Sequence, residues 1–280
     1  MIKIQKSFIN DKATLFLVAT PIGNLDELSP RAIDILSSVN YIACEDTRVT
    51  SKLLARFNIK TKLLTYHNFN EENSTKGLIA LLEKGNNIAL VSDAGYPLIQ
   101  DPGVTLINQC INQEYNVVPI SGASAFINAL VVSGLQAEPH LFYGFLSSKK
   151  TVSINELEAI KGLPYTLIFY EAPHRILKTL ENMLNVLGNR KICIAREITK
   201  KYEEFIRGNL EDILKQDLLL KGEIVIVVEG YKQTKDIISI DKVIDEINNM
   251  INDGYKKSEA IKIASKKYNI NKQLLYKELD

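Results

Sequence analysis

The stretch Ile88-Ala89-Leu90-Val91-Ser92-Asp93-Ala94-Gly95-Tyr96-Pro97-Leu98-Ile99-Gln100-Asp101-Pro102-Gly103 sets a short apolar run before a loop with two glycines and two prolines in nine residues. An uninterrupted apolar run of this length suits a strand buried on both faces, as strands of parallel sheets are. The loop behind it takes a fixed, non-repeating shape, because proline fixes φ and glycine opens conformations closed to other residues. Asp93 offers a carboxylate at the strand end. Asp101 before Pro102 reads as the capped start of the next helix.

The same pattern extends outward. Strand-like runs at 15–19, 41–43, 63–65 and 116–120 alternate with helical periodicity, as in Ile33, Leu36 and Val39 after the capping pair Ser29-Pro30. Such alternation predicts an α/β fold with a mostly parallel sheet. Past residue 145 the strands crowd together, at 165–170, 191–195, 202–207 and 223–229, with a helix over 173–187. Fewer intervening helices predict a mixed or antiparallel second sheet. The joint is placed near Phe145, in a segment with Pro139, Gly144 and Ser147-Ser148-Lys149-Lys150. The tail reads as helices at 241–252, 258–267 and 271–279, with Ser258 and Asn271 as caps and a turn through Asn269 and Ile270. It is compatible with a helix-turn-helix and equally with a plain helical appendage. The expected division is 1–145, 146–235 and 236–280.

With 280 residues, 46% apolar and 24% charged, the chain can bury one large core or two ordinary ones. Its formal charge of +1 neither favours nor disfavours a polyanionic partner. The tail is basic, with Lys256, Lys257, Lys262, Lys266, Lys267, Lys272 and Lys277 against Glu259, Glu278 and Asp280, which leaves roughly −3 for the residues before it. Cys44, Cys110 and Cys193 are scattered, without metal-ligand spacing, and read as small buried residues in a reducing compartment. Neither a signal-peptide core nor a membrane-length apolar run is present, so the expected location is the cytoplasm.

Four segments carry the chemistry. Thr20-Pro21-Ile22-Gly23-Asn24-Leu25 follows the first strand and departs from the dinucleotide-binding Gly-x-Gly-x-x-Gly turn; Gly23 opens the backbone to close approach by a ligand, or makes an ordinary strand-to-helix turn. The second segment is the 92–103 loop. The third, Ser121-Gly122-Ala123-Ser124-Ala125, opens a helix, where free N–H groups and small side chains serve either a ligand or tight packing. The fourth, Tyr170-Glu171-Ala172-Pro173-His174-Arg175, offers an aromatic ring to close over an adenine.

Together with Glu45-Asp46-Thr47-Arg48, Ala195-Arg196-Glu197-Ile198-Thr199-Lys200 and Lys221-Gly222-Glu223, these segments closely resemble the tetrapyrrole-methylase superfamily. Within it they resemble the ribosomal RNA small-subunit methyltransferase I family, which methylates a cytidine 2′-oxygen. The resemblance runs from about Leu15 to Gly230. It implies a two-domain tetrapyrrole-methylase-like fold with the cofactor, S-adenosylmethionine, in the cleft between the domains. It also implies a homodimer, no metal, and small-subunit ribosomal RNA or the assembled small subunit as partner. By position, Pro21, Asp93, Ala94, Gly95, Leu98, Ser124, Ala125, Tyr170 and Ala172 would line the cofactor. The chain departs from the family at Tyr96, usually Thr, and at Ser121-Gly122-Ala123, usually Pro-Gly-Pro. Tyr96 is expected to reshape the pocket mouth and the missing prolines to loosen the third loop. The family's basic linker is reduced to Lys149-Lys150.

A ribose hydroxyl is a poor nucleophile near neutral pH, so a positioned base contributes about 10²- to 10⁴-fold. Glu45 and Asp46 are the candidates, with His67 second. Each has a plain alternative: Glu45 pairing with Arg48, Asp46 capping the next helix, His67 satisfied in its loop. Arg48, Lys149, Lys150, Arg175, Arg196, Lys200 and Lys201 are candidates for phosphate contact, which positions RNA without reading it. The rival functions are a precorrin-type tetrapyrrole C-methyltransferase of the same fold, which the Glu45 and Tyr170 segments disfavour, and a non-catalytic RNA-binding assembly protein using the basic tail.

Overall fold

The computed structural model describes residues 2–7, 9–67, 71–218, 220–232, 240–268 and 270–279. The chain divides into two compact units, Met1–Tyr231 and Lys232–Asp280.

The first unit opens with β1 (Thr14–Val18), α1 (Pro30–Ser38), β2 (Tyr41–Cys44), α2 (Thr47–Arg56), β3 (Lys62–Thr65), α3 (Glu71–Glu83), β4 (Ile88–Val91), α4 (Val104–Asn112), β5 (Asn116–Ile120) and α5 (Ala125–Val132). The five strands form one parallel sheet in the order β3-β2-β4-β1-β5. Side chains alternate faces along a strand. Phe16 and Val18 of β1 therefore join Ala89 and Val91 of β4 in one core, while Leu15 joins Ile88 and Leu90 in the other. Burial on both faces is why these strands read as continuous apolar runs.

The helix starts follow local chemistry. Ser29 caps α1, accepting from Ala32 N, with Pro30 in the first turn. The expected start at Asp101-Pro102 is corrected: α4 begins at Val104 behind Gly103, whose φ of 139° only glycine adopts without strain. Asp101 is thereby released from capping.

The second sheet follows, from β6 (His140–Phe145), α6 (Lys150–Ile160), β7 (Thr166–Glu171), α7 (Ile176–Leu187), β8 (Lys191–Arg196), β9 (Glu204–Asn209), α8 (Leu210–Leu214) and β10 (Ile224–Val228). Its order is β6-β7-β10-β8-β9, with β6 and β7 parallel and the other pairs antiparallel. One face is covered by α6, α7 and α8 through Leu157, Leu180, Met183 and Ile213. The other face packs on α5, where Ala129 and Leu130 meet Ile168, Cys193 and Val225. Thus the helix that follows the last parallel strand covers the second sheet and ties the two sheets together. β6, which precedes the expected joint at 145, is a strand of the second sheet.

The second unit holds α9 (Ile240–Asn252), α10 (Lys257–Tyr268) and α11 (Lys272–Glu278) around Val243, Ile247, Ala260, Ile261, Ala264 and Leu275. Asn271 caps α11, accepting from Gln273 N, whereas α10 begins at Lys257, which puts Ser258 inside the helix. The expected 235/236 joint and Asn269 lie outside the described residues.

Candidate active site

Four loops leave the C-terminal ends of parallel strands: 20–25 after β1, 45–48 after β2, 92–103 after β4 and 121–125 after β5. In open α/β sheets this is the end at which ligands bind. The 20–25 and 92–103 loops are zipped together. Thr20 N donates to Gly95 O at 2.8 Å, Gly95 N returns a bond to Thr20 O at 3.0 Å, and Thr20 Oγ1 donates to Ser92 O at 3.0 Å. Leu98 and Gln100 hold φ of 74° and 73°, a left-handed conformation that costs a non-glycine residue roughly 1–2 kcal/mol. Strain of this kind persists where the surroundings fix it, and it clusters at ligand clamps.

The loops and the second sheet enclose a cavity of about 540 Å³. Glu45, Asp93, Ala94, Gly95, Tyr96 and Asp101 form one wall. Ser124 and Ala125 come from the start of α5, and Phe145, Tyr170, Ala172 and Pro173 from the second sheet's edge. Residues 222–225, around the start of β10, complete the lining.

Its electrostatics are uneven. Burial, with Glu45 and Asp93 nearby, pushes the Asp101 carboxyl up to about 6, against a weaker opposing bond from Ser92. Burial likewise raises the Tyr170 hydroxyl to about 12, so it stays a neutral donor. Asp46 does the reverse. It accepts from Arg48 N at 2.8 Å as the cap of α2, and from the Arg48 guanidinium. These bonds hold its carboxyl down at about 2. His67 sits beside the cleft-lining glutamate, its Nδ1 3.0 Å from Glu45 O.

Of the cofactor residues expected from sequence, Asp93, Ala94, Gly95, Ser124, Ala125, Tyr170 and Ala172 line the cavity. Pro21 and Leu98 lie outside the lining. Pro21 is buried beside the lining residue Ile22, and Leu98 turns under the loop against the Gly103 backbone. Of the two readings of Gly23, close approach is by protein: a Cβ there would stand 2.8 Å from Thr199 Oγ1, which accepts from Asn24 N. Asp101, Phe145 and Ile224 line the cavity in addition to the residues expected from sequence. The Lys221-Gly222-Glu223 motif was the available signal for the last of these.

The two departures from the family meet. Tyr96 lines the cavity, and its hydroxyl accepts from Gly122 N at 3.1 Å, which braces the third loop where the prolines are missing.

The expected phosphate contacts divide by partner. Arg175 donates from Nη2 to Leu146 O at 2.8 Å and lies 3.3 Å from the buried Glu171 carboxylate. Arg196 pairs with Glu204, Lys200 bridges Glu197 and Glu223 at 3.0 Å each, and Arg48 pairs with Asp46. Lys149, Lys150 and Lys201 are exposed, with no ion pair to a described residue. Among the described residues no group of His, Cys, Asp and Glu is arranged to hold a metal, and no helix is long and apolar enough to cross a membrane.

Comparison with known proteins agrees with this geometry. The family described as Tetrapyrrole (Corrin/Porphyrin) Methylases matches residues 14–214. The chain is 42% identical to "Ribosomal RNA small subunit methyltransferase I" of Bacillus subtilis, over 99% of this chain and 98% of that protein. It is 44% identical to the protein of the same name from Halalkalibacterium halodurans, over 98% of each. Solved structures share the fold: a cobalt precorrin-4 methyltransferase at TM-score 0.58 and 13% identity, over 77% of this chain and 94% of that one, and a diphthine synthase at 0.60 and 14%, over 78% and 90%. The chain belongs to the tetrapyrrole methylase family, and within it to the ribosomal RNA small subunit methyltransferase I family.

Proposed function

We propose that this protein transfers a methyl group to the ribose 2′-oxygen of a cytidine in the 16S ribosomal RNA of the small subunit. The observation that carries the reading is the convergence of the family's sequence segments on one cavity, in a chain similar along nearly its whole length to proteins named for ribosomal RNA methylation. The chain is a methyltransferase, and its methyl donor is S-adenosylmethionine.

The residues present fit that donor. A cavity of about 540 Å³ falls within the ~300–1,000 Å³ of small-molecule sites. Ile22, Ala125, Tyr170 and Val225 offer an apolar slot for a nucleoside, and Glu45, Asp93 and Asp101 place negative charge beside it. S-adenosylmethionine, when bound, supplies an electrophilic methyl group on a cationic sulfonium. Carboxylates favour such a cation, and the protein holds them in place before it arrives.

Glu45 and Asp101 are the proposed proton acceptors for the ribose hydroxyl, since both line the cavity; Asp101, held up to about 6, adds the combination of availability and driving force of a base near neutrality. Asp46, held at about 2 by Arg48, orients α2 beneath them. His67 steadies the Glu45 backbone. Tyr170, Ala172 and the other expected cofactor residues bind and orient the donor. Lys149, Lys150 and Lys201 are the exposed cations best placed to meet RNA, with Arg48, Arg175, Arg196 and Lys200 acting through the pairs they already make. A cytoplasmic homodimer completes the reading, with the expected joint at 145 moved ahead of β6, which pairs in the second sheet.

The test is transfer of a labelled methyl group to small-subunit particles lacking the modification, with the product nucleoside identified by mass spectrometry. 2′-O-methylcytidine is expected. Donor binding without labelling of these particles refutes the substrate and turns the search to tetrapyrroles.

A further inference from the structure

Beside the cofactor cleft lies a second cavity of about 450 Å³, formed where α6 begins and α7 runs past it. Lys150, His174, Arg175 and Lys178 line it together with Ser147, Ser148 and Ser153, and Glu181 is its one acidic side chain. Lys150, His174 and Lys178 are exposed and make no hydrogen bond or ion pair to a described residue. Of the other nearby acids, Glu156 accepts from Ser147 N at 2.9 Å and Glu171 is engaged by Arg175 and Thr179. Two cations without partners, a guanidinium and hydroxyl groups around a concave surface form an anion site, and their unsatisfied donors suit phosphate oxygens.

The two cavities share a wall. Phe145 and Pro173 face the cofactor cleft, while Ser147 and His174 face the second cavity, so the chain crosses between them within ~7 Å. Arg175 fixes that wall from inside. Its Nη2 donates to Leu146 O at 2.8 Å and Ser147 O at 3.2 Å, while Glu171 anchors it from below and accepts from Ala172 N at 2.8 Å and Thr179 Oγ1 at 2.5 Å. α6 adds the partial positive charge of its N-terminus, where Lys149 caps without a side-chain bond.

We infer that this second cavity is a phosphodiester-binding subsite, which holds the RNA backbone one or two nucleotides from the reacting ribose and thereby sets which ribose reaches the cofactor cleft. The inference rests on the proposed RNA substrate and assigns it a path across the surface. Arg175 reaches the cofactor lining through Glu171, whereas Lys150 and Lys178 bond to none of the described lining residues and so act on substrate capture and register.

The test is the double variant Lys150→Gln/Lys178→Gln. Its affinity for S-adenosylmethionine should match that of the unaltered protein by calorimetry. KM for small-subunit particles should rise about tenfold. The dependence of log affinity on log salt, measured with a single-stranded RNA fragment spanning the cytidine, should flatten by about 1.4, since each phosphate contact on a single strand contributes ~0.7. Lys150→Arg/Lys178→Arg should restore both. An unchanged KM and salt slope in the double variant overturns the inference while leaving the methyltransferase reading intact. Failure of the unaltered protein to bind RNA or particles overturns both. Stabilisation by millimolar inorganic phosphate that the double variant loses, with RNA affinity kept, assigns the cavity to a free anion and also overturns the inference.

Discussion

Whereas the parallel-sheet wall of the cleft presents Glu45 at the end of β2 and Asp93 and Asp101 on a strained loop, the mixed-sheet wall presents aromatic rings and keeps Glu171 buried against Arg175. The first wall sets its carboxylates close together, and Asp101 is raised to about 6 by burial first and by Glu45 and Asp93 second. The second pairs its carboxylates, Glu171 with Arg175 and Glu223 with Lys200, and borders a cavity where Lys150 and Lys178 face outward. One wall is thus poised for a cationic donor and the other bordered by a surface for a polyanion. Stability and binding should therefore be separable by mutation, wall by wall.

The largest expected effect lies on the mixed-sheet wall. Arg175→Met leaves a carboxylate whose side chain is 0% exposed without its counter-charge, at a cost of about 3–5 kcal/mol in chemical denaturation. Adding Glu171→Leu should recover most of the loss, and failure to recover would mean that the pair's backbone bonds matter more than its charge. On the other wall, Asp93→Ala should cost donor affinity about 10- to 100-fold, the worth of a charge-assisted bond, with little change in unfolding. Unaltered calorimetric affinity would remove Asp93 from the site.

Asp101→Asn separates the walls by sign. The folded protein holds the Asp101 proton up to about 6, so stability from that group is present below the ordinary carboxylate value and lost as pH rises through 6. The Asn variant should therefore melt higher than the unaltered protein at pH 7.5, with the advantage gone below pH 4, while losing the rise in methyl-transfer rate around pH 6. A lower melting temperature at pH 7.5 would contradict burial as the cause. The smallest effect is expected from removing Lys232–Asp280, a unit with its own apolar core. Donor affinity should be kept and only RNA binding weakened; loss of both in parallel would show that the tail supports the fold.

Much of this architecture is legible in the sequence. β1 and β4 announced themselves as apolar runs, Ser29-Pro30 as a helix start, and the 92–103 segment as a ligand loop. What escaped depended on long-range partners. Asp101 beside Pro102 looks like a cap until Gly103 takes that place with a φ of 139°. Gly23 looks open until Thr199, 176 residues further along the chain, closes over it. Residues 222–225 reach the cleft only because β10 pairs between β7 and β8, a register that no local pattern encodes. Asp46 illustrates the converse: its capping role was local and visible, and the Arg48 pairing that depresses its carboxyl follows from the same two residues.

The bond from Gly122 N to the Tyr96 hydroxyl links two positions that lie 26 residues apart. With the phenol present, the third loop gains a brace from outside its own backbone; with a threonine there, that loop needs rigidity of its own, as prolines would supply. Substitutions at the two places should consequently be inherited together among relatives, and a chimaera that carries one without the other should hold the donor less well than either parent.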